Sequence, residues 1–100
     1  MVKIFISQPM NGKTNAEIKK SRKLLEEKAR NCFINCEVEI IDSFFEDAPH
    51  DAKPLWFLGK SLQLLSSADY IIFGNGWEEA RGCRIERECA LQYGIGILYV

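Results

Sequence analysis

The spacing of apolar residues switches repeatedly between a period of two and a helical period, and these switches delimit the elements. In VKIFIS, residues 2–7, Val2, Ile4 and Ile6 share one face while Lys3 and Phe5 take the other, which predicts a first strand. QPMNGK follows with the turn formers Pro9, Asn11 and Gly12, and Thr14 with Glu17 three residues on forms a capping box. A helix is predicted to begin there, and from Glu17 to about Asn31 it carries Ile18, Ser21, Leu25, Ala29 and Cys32 on one stripe. Lys19, Lys20, Lys23, Glu26, Glu27 and Arg30 cover its solvated remainder. Residues 36–43, CEVEIIDS, alternate Glu37 and Glu39 with Val38 and Ile40, as a second strand at a sheet edge would. FFEDAPHDAK reads as a loop folding back over the domain, in which Phe44 and Phe45 either roof a pocket or complete the core, and His50 is solvated.

Pro54 suits a helix first turn, and Leu55, Leu58, Leu62 and Leu65 repeat at helical intervals up to Ser67. After Ala68 and Asp69, YIIFG is apolar without alternation, the pattern of a central parallel strand covered on both faces. It runs into GNGWEEARGCRIERECALQYG, a glycine-rich turn and a third helix. At about 100° per residue, counted from Gly82, the residues Glu86, Cys89, Ala90 and Tyr93 fall on one face, and Arg84, Arg87 and Glu88 point away. Gly94 is a helix stop, and IGILYV is a fourth strand weakened by Gly96.

The resulting order β-α-β-α-β-α-β predicts one α/β domain over residues 1–100, flavodoxin-like or Rossmann-like, with three layers. Its four-stranded parallel sheet takes the order 2-1-3-4. Strands one and three are then neighbours, and ligands bind above their carboxyl ends, where SQPMNGK and GNGWEEARG both open.

Charge and composition narrow the partners. Thirteen basic and fourteen acidic side chains leave a net charge of -1, which gives no field for collecting a nucleic acid polymer or an anionic membrane surface. No apolar stretch is long enough to span a bilayer, and MVKIFISQPM lacks a secretory pattern, so a cytoplasmic location is expected. Cys32 and Cys36, and Cys83 and Cys89, lack close zinc-type spacing, and His50 is the single histidine. The expectation is reduced cysteines acting as small hydrophobes, with no metal.

Candidate chemistry gathers at the third turn and helix. Gly74, Asn75 and Gly76 let backbone amides approach a ligand, and Trp77 is either a stacking surface or a packing residue. Neither a phosphate loop nor a full dinucleotide fingerprint is present. Arg81 and Arg84 either meet an anionic group or pair with neighbours such as Glu78 and Glu88. Glu86 is the inward carboxylate, which is either satisfied by protein groups or used. A used carboxylate in a crevice can act as nucleophile at a sugar anomeric carbon.

Across nearly the whole chain, these residues resemble the nucleoside 2-deoxyribosyltransferase-like proteins, especially small bacterial and phage members. ISQPMNG is similar to their ISGPM start, and ADYIIFGNGWEEARGCRIERECALQYGI to the strand, turn and helix that carry their nucleophilic glutamate. The resemblance implies a Rossmann-like fold, active sites near subunit contacts and hence a homo-oligomer, no cofactor, and Glu86 as nucleophile. On this reading Gly74, Gly76 and Trp77 shape the pocket, Ser7, Pro9 and Met10 line its other wall, and Arg81 and Ser61 join the substrate-binding residues. The family's enzymes carry an aspartate in the preceding helix where this chain has Ser61, and the phosphate-reading branch has a serine where this chain has Ala80. The implied function is cleavage or transfer of the deoxyribosyl group of a nucleoside or nucleotide. The alternatives are a nucleotide-binding module without turnover and a flavodoxin-like interaction domain.

Overall fold

A computed structural model describes residues 1–99. Strand β1 (Val2–Ser7) leads through α1 (Asn15–Asn31) to β2 (Val38–Ile41). Helix α2 (Pro54–Leu65), β3 (Tyr70–Phe73), a 3-10 turn at Trp77–Glu79, α3 (Arg81–Gln92) and β4 (Gly96–Leu98) follow. The sheet is parallel throughout in the order β2-β1-β3-β4, as the sequence predicts. Val100, the end of the predicted fourth strand, lies outside the described residues.

Alternation along β1 sends its residues into two cores. Ile4 and Ile6 join Ile72 beneath Leu25 and Ala29 of α1, whereas Phe5 joins Ile41 and Ile71 beneath Leu65 of α2 and Ala90 of α3. One helix therefore covers one face and two cover the other, which makes the three layers. Placing α2 and α3 side by side on one face creates a groove between them.

Thr14 caps α1 as its spacing predicts, with its side chain accepting from the Glu17 amide and Glu17 reaching back to the Thr14 amide. The helix starts at Asn15, directly after this cap as expected, because residues between a cap and its N3 partner are already helical. One expectation for its stripe is corrected and one unpredicted residue joins it. Cys32 is the exposed C-cap, like the exposed Cys36, while Arg22 is buried among the apolar residues. Its guanidinium donates to the Ile41 carbonyl at 2.7 Å and to Ser43 Oγ at 3.1 Å. Ser43 in turn donates to the Ile6 carbonyl, so a charged side chain fastens the carboxyl end of β2 onto β1. Burial lowers the Arg22 pKa and the negative charges of Glu26 and Asp42 oppose that.

The other helices also differ from their patterns. On α2 Leu65 is buried and Leu58 and Leu62 are half-buried, but Leu55 is 78% exposed. The stripe on α3 is Cys83, Glu86 and Ala90, with Gly82 and Tyr93 in solvent, because the helix begins only after the 3-10 turn and its inward direction is rotated from the Gly82 reference. Glu86 remains inward under either count.

Candidate functional site

Above the carboxyl ends of β1 and β3, the groove between α2 and α3 opens into a cleft of about 1250 Å³. The loops after β1 and β3 supply its near walls, and Phe44 and Phe45 from the connection before α2 line its far side. Its position at the switch in strand order follows from topology: α1 leaves β1 on one face and α3 leaves β3 on the other.

Glu86 lies on the inner face of α3, 8% exposed, and lines this cleft. Ser7 is the last residue of β1 and by alternation shares the Phe5 face, toward α3. Its hydroxyl donates to Glu86 Oε1 at 2.6 Å. No lysine or arginine forms an ion pair with Glu86 among the described residues. Burial raises the Glu86 pKa, opposed first by the Ser7 hydrogen bond and then by the Ser61 hydroxyl, both of which favour the carboxylate. One helical turn earlier, Cys83 is also buried on the wall. Burial pushes its thiol up to about 11, with Ser7 opposing and the Glu86 charge adding to the rise, so it stays protonated at neutral pH.

The remaining predicted residues divide. Pro9, Met10, Gly76, Arg81 and Ser61 line the same cleft as Ser7 and Glu86. Gly76 has φ 85°, a left-handed conformation that turns the chain into the 3-10 segment. Gly74 does not line the cleft. It is buried, and a Cβ there would stand 3.2 Å from Gln8 Cβ and 3.3 Å from Leu25 Cδ1, so its missing side chain permits α1 and the β1 loop to approach. Trp77 is likewise directed elsewhere. Its ring packs on Phe73 at 5.2 Å and Arg87 lies over it at 5.2 Å, in a separate groove of about 390 Å³ beside β4. The expected Trp77 wall is therefore replaced by Phe44, Phe45, Phe57 and Leu58 from the opposite side.

Arg84 donates to the Glu78 carbonyl, which accounts for it at the surface. Asp69, at the start of β3, accepts from the Lys3 amide at the amino edge of the sheet, remote from the cleft. Two features of the site went unread in the sequence. The pairing of Ser7 with Glu86 was visible only as matching parity on β1, and Cys83 only as the residue three before Glu86 on a helix. Among the described residues no group of His, Cys, Asp and Glu side chains is arranged to hold a metal ion.

Fold and site together define a small three-layer α/β domain with a buried carboxylate at the topological switch point of a four-stranded parallel sheet. The family described as a domain of unknown function (DUF4406) matches residues 2–99, and the chain belongs to it. Neither a curated protein nor a solved structure matches the chain.

Proposed function

We propose that this domain breaks the N-glycosidic bond of a deoxynucleoside or deoxynucleotide and passes the deoxyribosyl group to water or to a second base, with Glu86 as nucleophile. The observation that carries the reading is a buried carboxylate with no cation partner among the described residues, lining a large cleft and met only by neutral hydroxyls, Ser7 directly and Ser61 more weakly. A carboxylate kept only to stabilise the core would be expected to have its charge paired. The resemblance to nucleoside 2-deoxyribosyltransferase-like proteins supports the same residue. In the reaction, a Glu86 oxygen forms a bond to the anomeric carbon as the bond to the base nitrogen breaks, and the electron pair leaves with the base. Water or a second base then attacks that carbon, the ester bond breaks, and the carboxylate returns.

The cleft supplies apolar area from Phe44, Phe45 and Phe57 for the base and sugar, and Lys13 and Arg81 for an anionic group. No cofactor is required by this chemistry. A homo-oligomer belongs to the same proposal: Leu55 and Phe57, 78% and 37% exposed, stand on the cleft wall where a second copy would cover them. So does a cytoplasmic setting, where nucleotides and reduced thiols coexist.

The test is base release from a panel of deoxynucleosides and their monophosphates by wild type and Glu86→Gln. Release by wild type and its loss in the variant supports the proposal, and equal release by both contradicts it. A nucleotide-binding module without turnover is the second reading, favoured by Ser61, which lines the cleft and occupies the sequence position where the resemblance implies an acid that assists the leaving base. Stabilisation by nucleotides without base release would select that reading.

A further inference from the structure

Resting on the nucleophile reading, we infer that Ser7 is a positioning residue that commits Glu86 Oε1 to a hydrogen bond and leaves Oε2 as the attacking oxygen. Ser7 is 1% exposed and its one hydroxyl proton is given to Oε1 at 2.6 Å. Among the described residues Ser7 makes the one direct hydrogen bond to Glu86, with the Ser61 hydroxyl a weaker influence on the same carboxylate, and the Glu86 side chain lines the cleft. The two oxygens of one carboxylate are thereby made unequal before any substrate arrives. The strand holds this arrangement rigidly, because Ser7 pairs with Phe73 across β1 and β3 and its carbonyl accepts from the Gly74 amide at 2.8 Å.

The asymmetry has a consequence in each half of the reaction. In the first, Oε2 bonds to the anomeric carbon, the carbon–nitrogen bond breaks, and the departing base takes its proton from solvent. Oε1 becomes the ester carbonyl and keeps the Ser7 hydrogen bond. In the second, the acceptor's oxygen or nitrogen bonds to the anomeric carbon while the carbon–Oε2 bond breaks, and an acceptor proton passes to solvent. Negative charge then returns to the carboxylate, where the Ser7 hydroxyl stabilises it. A donor fixed on Oε1 thus favours departure of the carboxylate over retention of the ester.

The groups facing this pair are few. Cys83 comes from the same helix, Ser61 from α2, and Lys13, Glu79 and Arg81 stand elsewhere on the cleft wall. Cys83 stays a neutral thiol at neutral pH, so it places no second charge beside Glu86.

The experiment compares wild type, Ser7→Ala and Glu86→Gln, with a thermal melt of each to establish folding. Ser7→Ala is expected to lower kcat about ten- to a hundredfold without raising KM, with more glycosyl-enzyme accumulating in the steady state. Its acid limb moves to higher pH because a bond favouring the carboxylate is gone. An unchanged kcat and limb in Ser7→Ala, with Glu86→Gln inactive, overturns the role of Ser7 alone. Full activity in Glu86→Gln overturns the nucleophile reading and this inference together. A readout independent of turnover is the carbon-13 carboxyl resonance of Glu86, assigned by its loss in Glu86→Gln. It titrates at higher pH in Ser7→Ala than in wild type, and an identical titration contradicts the assignment.

Discussion

Burial holds the Glu86 carboxyl in its neutral form to a higher pH than the ordinary value of 4.5. Between that value and the raised one, the folded state binds more protons than the unfolded chain, so stability falls as pH rises across the window. Below the window the contribution is fully present. Glu86→Gln has no proton to lose and keeps an oxygen that accepts from Ser7. Its melting temperature is therefore predicted to exceed that of wild type at neutral pH, with the difference shrinking below pH 4.5. Thermal melts of both proteins across this range check the sign, and a constant difference contradicts it. Cys83 gives a second prediction at this scale. With its thiol pushed up to about 11 and buried, it resists alkylation in the folded protein, whereas exposed Cys32 and Cys36 react at neutral pH. Mass spectrometry of peptides after a timed iodoacetamide pulse distinguishes them.

Among the elements, α1 depends on the reciprocal bonds between Thr14 and Glu17. Thr14→Ala removes the cap and is predicted to cost about 1 kcal/mol, a fall of about 4–8 °C in melting temperature for a domain of this size. Gly76→Ala, which forces a side chain into φ 85°, is predicted to cost about 1–2 kcal/mol by the same measurement. Both features were legible in the sequence, because a capping box and a glycine turn are local. Alternation in VKIFIS and the unbroken YIIFG likewise specified strand type and the order 2-1-3-4. Less legible were features that depend on what a distant element presents. Arg22 looks like one more surface cation on α1 until Ser43 and the Ile41 carbonyl are brought beneath it. Trp77 sits beside the glycine turn in sequence, yet the 3-10 turn directs its ring onto Phe73 and away from the cleft. Glu86 could be placed inward from helical spacing, but its partner Ser7 is 79 residues distant and no periodicity links them.

At the level of the whole molecule, the cleft is built from both ends of the chain. Ser7 comes from the first strand, Phe44 and Phe45 from the middle connection, and Glu86 from the last helix. Its wall includes apolar side chains that the single domain leaves in water, Leu55 above all. If a second copy covers them, sedimentation gives a mass of at least two chains, and Leu55→Glu shifts it toward one. The chemistry proposed for this cleft passes through a sugar ester of Glu86. The most direct measurement is a denaturing quench of wild type during turnover of a deoxynucleoside, followed by peptide mass spectrometry. The predicted result is a deoxyribosyl adduct on the peptide carrying Glu86, absent from Glu86→Gln. Base release by wild type with no adduct on that peptide, or undiminished release by Glu86→Gln, would contradict the account.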